Sequence, residues 1–422
     1  MLSDGARSEI LARRYRAIRG VTNRLCQTLS SEDCSAQSMP DASPAKWHLA
    51  HTAWFFETFV LRREDPSYSI FHPRFEYLFN SYYNSVGEQY SRPNRGLLTR
   101  PPLEEVGRYR AHVDAGVIAL LDDPGRLSDS ALDVVELGLH HEQQHQELLL
   151  TDVKHLFGQN PLGPVYRATK QPQSIPIRSL EWHAFDAGLV EIGHEGPAFA
   201  FDNESPRHRI YLERYALASR PIRNGEFAAF VEEGGYTRPE LWLAEGLTKV
   251  QEENWRAPLY WLHHDDKWWN FTLGGLRPIR MEEPVCHVSY FEADAFARWA
   301  GCRLPSEAEW ENAAAAVPVE GNFLEAGRFH PDAAQGPFDE DGPIQLFGDV
   351  WEWTSSAYHP YPGFRIAEGA IGEYNGKFMS SQMVLRGGSC VSPRSHLRAS
   401  YRNFFYPDSR WQFSGFRLAR DF

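Results

Sequence analysis

Cysteine is scarce in this chain: five residues in 422, Cys26, Cys34, Cys286, Cys302 and Cys390, with no C-x-x-C pair. An odd, scattered set excludes a disulfide framework and a thiolate zinc site, and it fits a reducing cytoplasm. No run of about 18 apolar residues occurs, so no transmembrane helix is expected. The start, Met1-Leu2-Ser3-Asp4-Gly5, has no basic stretch followed by an apolar one, so no secretory signal is expected either. Excess positive charge is also missing. A formal net charge of -13 argues against non-specific binding to nucleic acid or to an anionic membrane surface. What remains is the composition of a soluble globular protein, 42% hydrophobic and 23% charged. A length of 422 residues exceeds one ordinary core and predicts two domains, with room for a third. Aromatic content is 14%, with 13 Trp, which suits aromatic-lined pockets or a Trp-rich core.

The most informative stretch is His140-His141-Glu142-Gln143-Gln144-His145-Gln146-Glu147. Read as a helix, it puts His141 and His145 one turn apart on a single face, where two imidazoles can chelate one metal ion. Gln144 flanks that face, and Glu147 suits a supporting role behind the ligands. Trp47-His48-Leu49-Ala50-His51, on a second helix-like segment, offers a third imidazole from His48 or His51. Three nitrogens leave open coordination positions, which is the arrangement of a catalytic site. The same letters match the zinc-protease pattern H-E-x-x-H. That reading needs a third ligand downstream, and the metzincin positions hold Leu148 and Thr151 instead. A structural reading, with the histidines packed between helices, fits poorly because the stripe also carries Gln and Glu.

Apolar residues at three- and four-residue spacings predict helices at 7–30, 44–63, 104–122 and 128–157. Ser43 reads as the N-cap of the second, with Pro44 at its first position. Four helices suggest a four-helix bundle, a scaffold that often holds metals between facing helices. The connection from about 65 to 103 carries Asn80-Ser81-Tyr82-Tyr83-Asn84, and a loop this long in a compact domain is usually functional. Residues 158–180 read as a Pro- and Gly-rich linker. Beyond it short apolar stretches alternate with turns. Two helices stand out, one from Ser289-Tyr290-Phe291-Glu292 to Gly301 and one from Pro305-Ser306-Glu307-Ala308-Glu309, each with a capping-box spacing. The expected organisation is α+β: a bundle at 1–157, a linker at 158–180 and a loop-rich α+β domain at 181–422.

Six ordered pieces of the second half resemble the formylglycine-generating-enzyme (sulfatase-modifying factor) domain, a C-type-lectin-like fold. They are Asn203-Glu204-Ser205-Pro206-Arg207-His208, Pro284-Val285-Cys286-His287-Val288-Ser289 and the run from Trp299 to Glu311. Gly348-Asp349-Val350-Trp351-Glu352-Trp353-Thr354, Leu385-Arg386-Gly387-Gly388-Ser389 and Ser414-Gly415-Phe416-Arg417 follow. Formylglycine generation uses two cysteines after the Arg-Gly-Gly-Ser motif. Here only Cys390 is near, and the matching positions look like Ser392 and Leu397. The chemistry is therefore expected in the first half, which resembles a DinB-like bundle.

A DinB-like four-helix bundle followed by a formylglycine-generating-enzyme-like domain is the architecture of the ergothioneine-biosynthesis sulfoxide synthases, and the resemblance spans nearly the whole chain. It implies non-haem Fe(II) held by His51, His141 and His145, with His48 competing for the first place, Glu147 in support and O2 as co-substrate. It implies that a thiol is joined to the imidazole C2 of hercynine and that its sulfur is oxidised. A tyrosine would supply a proton or an electron, and Tyr82 or Tyr83 stands where the cysteine-using branch carries it. Gln144, Asn403 and Phe404 would contact hercynine. Members using γ-glutamylcysteine carry an Asp and an Arg in the C-terminal segment. Here Phe405 and Ser409 hold those places, although Arg410 is adjacent, so free cysteine is the expected donor. Selenoneine synthase and 5-histidylcysteine sulfoxide synthase are relatives with other products. Outside this class, a zinc hydrolase predicts zinc and no oxygen consumption. A non-catalytic ligand-binding module predicts no stoichiometric metal.

Overall fold

The computed structural model describes residues 4–169, 179–334, 342–366 and 370–422. Residues 170–178 of the expected linker lie outside the described residues. The chain forms two compact units, Met1–Tyr166 with Glu368–Tyr374, and Arg167–Ala367 with Asn375–Phe422.

The first unit is built on four helices: α1 (Asp4–Cys26), α2 (Ala45–Phe56), α3 (Leu103–Leu121) and α4 (Asp129–Gly158). Ser128 starts α4 as a side-chain N-cap, its hydroxyl accepting from the Ala131 N–H at 3.2 Å. Glu104 and Glu105 sit in the first turn of α3, where the helix dipole favours negative charge. The reading of Ser43 as the cap of α2 is corrected: Pro44 takes the N-cap position and Ala45 begins the helix. Ser43 is committed elsewhere, its hydroxyl accepting from Arg95 at 2.9 Å and its N–H donating to Asp152 at 2.8 Å. Downstream, α2 passes into a π-helical turn, Glu57–Leu61.

One buried ion cluster ties all four helices together. Glu142 of α4 accepts from Arg19 of α1 at 2.7 Å, Arg110 of α3 at 3.0 Å and Thr22 of α1 at 2.6 Å. Arg110 also donates to Thr52 of α2 at 2.8 Å. Glu142 is 0% exposed. Burial alone would raise its pKa, but Arg19 and Arg110 outweigh that and hold it near 2.

The second unit is assembled from small sheets and short helices. A four-stranded sheet runs in the order Asn403–Phe405, Met383–Arg386, Trp351–Ala357, Ser414–Gly415, and a three-stranded one in the order Trp182–Phe185, Tyr215–Ala218, Ala419–Asp421. The two expected helices are present as Tyr290–Trp299 and Glu307–Ala314, both with complete capping boxes, Ser289 with Glu292 and Ser306 with Glu309. Asn224–Glu232 and Ala244–Glu252 are further helices of nine residues that the sequence reading did not single out; their N-cap residues, Arg223 and Leu243, carry no Ser, Thr, Asp or Asn start signal.

The family-like motifs of this unit are its buried ion pairs. Arg417 binds Glu352 through both carboxylate oxygens at 2.6 Å, and Trp310 donates to the same carboxylate at 2.8 Å. Arg386 joins Glu307 at 3.0 Å and Glu311 at 2.8 Å. These side chains hold the unit together from within, around Trp310, Trp351 and Trp353, which are fully buried.

Replacing Glu142 by Gln removes the countercharge from two buried arginines. Loss of one partner in such a cluster costs about 3–5 kcal/mol. Urea unfolding of Glu142→Gln, followed by helical circular dichroism, should show a loss of that order. An unchanged midpoint would mean the cluster does not hold the bundle.

Candidate metal centre

His141 and His145 project from α4, His48 and His51 from α2. The two helices come close at Gly138, one turn before His141. A Cβ there would lie 2.6 Å from Phe56 and 2.9 Å from Phe55, so the crossing has no room for a larger residue. The result is a cluster in which one nitrogen from each of His51, His141 and His145 lies within 4.8 Å of the others. His51 and His141 are completely buried and His145 is 8% exposed.

Two of these nitrogens, Nε2 of His51 and Nε2 of His141, are 3.2 Å apart. Two imidazoles sharing an ion at about 2.1 Å sit roughly 3.0–3.4 Å apart, depending on the angle between them. A carbonyl oxygen can only accept, so the 2.6 Å contact of His51 Nδ1 with the Phe79 carbonyl places the proton on Nδ1 and leaves Nε2 as a lone pair. His51 is also stacked on Trp47 at 4.5 Å and on Trp54 at 5.4 Å. Burial, and next the neighbouring imidazoles, push His51 and His145 well below the usual histidine range. Burial takes His141 down to about 3. Three neutral imidazoles converging in a dry site form the donor set that a divalent transition metal takes.

The neighbours of the cluster separate the competing readings. Glu142 is bound to Arg19 and Arg110, so the base that the zinc-protease pattern requires is spent on the helix core. His140 faces α1, where the Arg14 guanidinium donates to its Nε2 at 3.2 Å. His48 has one nitrogen on His145 and the other on Asp152. Glu147 is buried on the same helix as His145.

The loop after Phe79 brings in the two tyrosines. Asn80 pins it, donating to the carbonyls of Tyr83 and Gly87 at 3.1 Å and accepting from the Tyr83 N–H at 3.2 Å. Tyr83 is buried against Trp54 and Phe59, and Tyr82, half-buried, stacks on it at 4.7 Å. Burial raises the Tyr83 phenol well above its ordinary value. A third tyrosine, Tyr374, was missed by sequence reasoning. Its ring lies 5.7 Å from His141 and 6.2 Å from Tyr82, and its hydroxyl donates to the side-chain oxygen of Gln144. The preceding Glu373 accepts from the N–H groups of Asn84 and Ser85 at 3.0 and 2.9 Å, fastening the tyrosine loop. Nothing in the local sequence marks Tyr374, which is separated from Gln144 by 230 positions.

The remaining expected residues belong to the second unit. Asn403, Phe404 and Phe405 form a half-buried strand paired with Met383–Arg386. Phe404 stacks on Tyr358 at 4.0 Å, and Phe405 meets Trp411 edge-on at 6.0 Å. Ser409 is buried. Arg410 is engaged with both oxygens of Glu292, at 3.0 and 2.8 Å. Ser392, the position expected from the resemblance to match one cysteine, hydrogen-bonds Ser389, and Leu397, expected to match the other, closes over Gly388.

A helical bundle with a buried histidine cluster, followed in the chain by a loop-rich α+β unit, defines a two-unit protein with a candidate metal centre. The DinB superfamily matches residues 14–149, and the sulfatase-modifying factor enzyme 1-like domain matches residues 181–339 and 336–422. Hercynine oxygenase of Mycobacterium tuberculosis is 32% identical across 98% of this chain and 99% of its own length. That of Mycolicibacterium thermoresistibile is 32% identical across 94% of this chain and 92% of its own. The formylglycine-generating enzyme of Streptomyces coelicolor is 30% identical but covers only 54% of this chain. The chain belongs to the hercynine oxygenase family. No helix among the described residues is long and apolar enough to cross a membrane.

His51→Ala, His141→Ala and His145→Ala should each abolish stoichiometric metal retention after anaerobic Fe(II) loading, measured by metal analysis. His140→Ala should retain it. Full metal content in any of the first three would remove that residue from the centre.

Proposed function

We propose that this chain is an Fe(II)- and O2-dependent sulfoxide synthase that joins cysteine to the imidazole C2 of hercynine, a step of ergothioneine biosynthesis in the cytoplasm. The observation that carries this reading is the cluster of His51, His141 and His145, neutral and buried in a bundle whose relatives are hercynine oxygenases. In this reading residues 1–157 supply the metal ligands, 158–180 link, and 181–422 help select the substrates. The reaction balances as hercynine C–H plus cysteine S–H plus O2 giving a C–S bond, one sulfoxide oxygen and one water. Bound iron would supply adjacent open positions for a thiolate, an imidazole and O2.

The protein's own contributions follow from its side chains. His51 is held in one tautomer by the Phe79 carbonyl, so its ligand atom needs no reorganisation. Burial keeps the Tyr83 phenol protonated, and Tyr82 and Tyr374 place two further hydroxyl-bearing rings beside it and beside His141. One of these hydroxyls delivers the proton that the O–O chemistry consumes. Gln144, hydrogen-bonded by Tyr374, offers its amide to the hercynine ring, and the family resemblance assigns Asn403, Phe404 and Phe405 to substrate contacts as well. Phe405 cannot bind an amino-acid head group, and Arg410 is already paired with Glu292, which favours cysteine over γ-glutamylcysteine.

Fe(II)-loaded enzyme given hercynine, O2 and equal cysteine and γ-glutamylcysteine should yield a mass matching hercynylcysteine sulfoxide. The glutamyl adduct would overturn the donor assignment, and no adduct with either thiol despite bound iron would overturn the reaction. Among Tyr82→Phe, Tyr83→Phe and Tyr374→Phe, the variant lacking the proton donor should lose about 10²–10⁴-fold in kcat with iron content unchanged. If all three stay within a few-fold of wild type, the tyrosine role fails.

A further inference from the structure

Beside the three clustered imidazoles lies a chain of buried polar groups. Asp152 follows His145 by seven residues, two turns along the same face of α4. On α2, His48 precedes His51 by one turn. His48 Nδ1 lies 2.8 Å from His145 Nδ1, and His48 Nε2 lies 3.0 Å from Asp152 Oδ2. That same carboxylate oxygen accepts from the Ser43 N–H at 2.8 Å. His48, Asp152 and His145 are 3, 6 and 8% exposed.

These contacts fix where the protons sit. The Asp152 oxygen is an acceptor, so His48 must donate from Nε2. A neutral imidazole protonated at Nε2 has its lone pair at Nδ1. The 2.8 Å contact then requires His145 to donate from its own Nδ1. His145 is left with a lone pair on Nε2, the form in which a ring can ligate a metal. Moving the proton of either ring to the other nitrogen sets two lone pairs or two N–H groups face to face. A doubly protonated His48 would donate to His145 Nδ1 and leave an N–H on His145 Nε2, with no ligand atom.

We propose that Asp152 and His48 form a positioning relay that holds His145 in the Nδ1–H tautomer and in the ring orientation a metal ligand needs. The metal part rests on the three-histidine reading, whereas the tautomer part does not. His51 obtains the same service from the Phe79 carbonyl. The buried Nδ1 of His141 has no hydrogen-bond partner among the described residues. Two of the three imidazoles are thus set in advance, one from each helix.

The test uses full-length, metal-free protein with 15N-labelled histidine. Long-range proton–nitrogen NMR should show His145 protonated at Nδ1 and His48 at Nε2, and His48→Phe should release His145 into a mixture of tautomers. Finding His145 protonated at Nε2 in the wild type, or unaffected by His48→Phe, overturns the relay. Anaerobic Fe(II) titration gives the second readout. His48→Phe and Asp152→Leu should each weaken binding about 10–100-fold, the range for partners that orient a ligand. Asp152→Asn keeps an acceptor oxygen and should stay within a few-fold. Adding Asp152→Leu to His48→Phe should cause no further loss, and an additive loss overturns the relay. Wild-type protein with the expected tautomers but no Fe(II) binding would overturn the metal reading while the relay stands.

Discussion

The buried carboxylate of Glu142 is the constraint on which the first unit depends. It gathers Arg19, Arg110 and Thr22, and through Arg110 it reaches Thr52, so one residue fixes the rotation of α4 against the other three helices. On a helix, adjacent residues point about 100° apart. With Glu142 turned to α1 and α3, His141 is turned to α2, and His145 follows one turn later. Gly138 then sets the distance, since the approach of α2 is limited by the rings of Phe55 and Phe56. The position of the histidine cluster is therefore a consequence of core packing one residue away.

That arrangement also sorts charge. The arginines close to the bundle core are neutralised on the Glu142 side, which lets the imidazole side stay uncharged. On the α2 side Arg95 is held over the Trp47 ring at 3.4 Å and on the Ser43 hydroxyl. Trp47 in turn stacks on His51. Neutral imidazoles with lowered basicity keep their lone pairs free of protons at neutral pH, the state in which they can take a divalent ion.

The legible parts of the sequence were those encoded within one or two helical turns. The four bundle helices, both capping boxes and the His141/His145 pair are local patterns, and local patterns survive folding. His51 over His48 was a different kind of question, because both lie on one helix a turn apart. The two differ in what their nitrogens touch: Nδ1 and Nε2 of His48 meet His145 and Asp152, whereas Nδ1 of His51 meets the Phe79 carbonyl and its Nε2 faces His141. Asp152 was readable in principle, since 141, 145 and 152 share a helical face, but a carboxylate in the last turns of a helix carries no signal by itself. Tyr374 and Glu373 were not readable, because their placement depends on chain that returns from far along the sequence.

The motifs most specific in the sequence turn out to be the least chemical. Arg417 with Glu352, Arg386 with Glu307 and Glu311, and Arg402 with Glu307 are buried ion pairs that staple a loop-rich unit with little regular structure. A fold made of short strands buries few backbone ladders and must be specified by such contacts instead. Breaking one leaves an uncompensated charge in the interior. After Arg386-Gly387-Gly388-Ser389 the chain has Ser392, hydrogen-bonded to Ser389, and Leu397, packed on Gly388. The second half thus supplies a scaffold stapled by buried ion pairs, and the candidate metal donors are imidazoles that the first half buries.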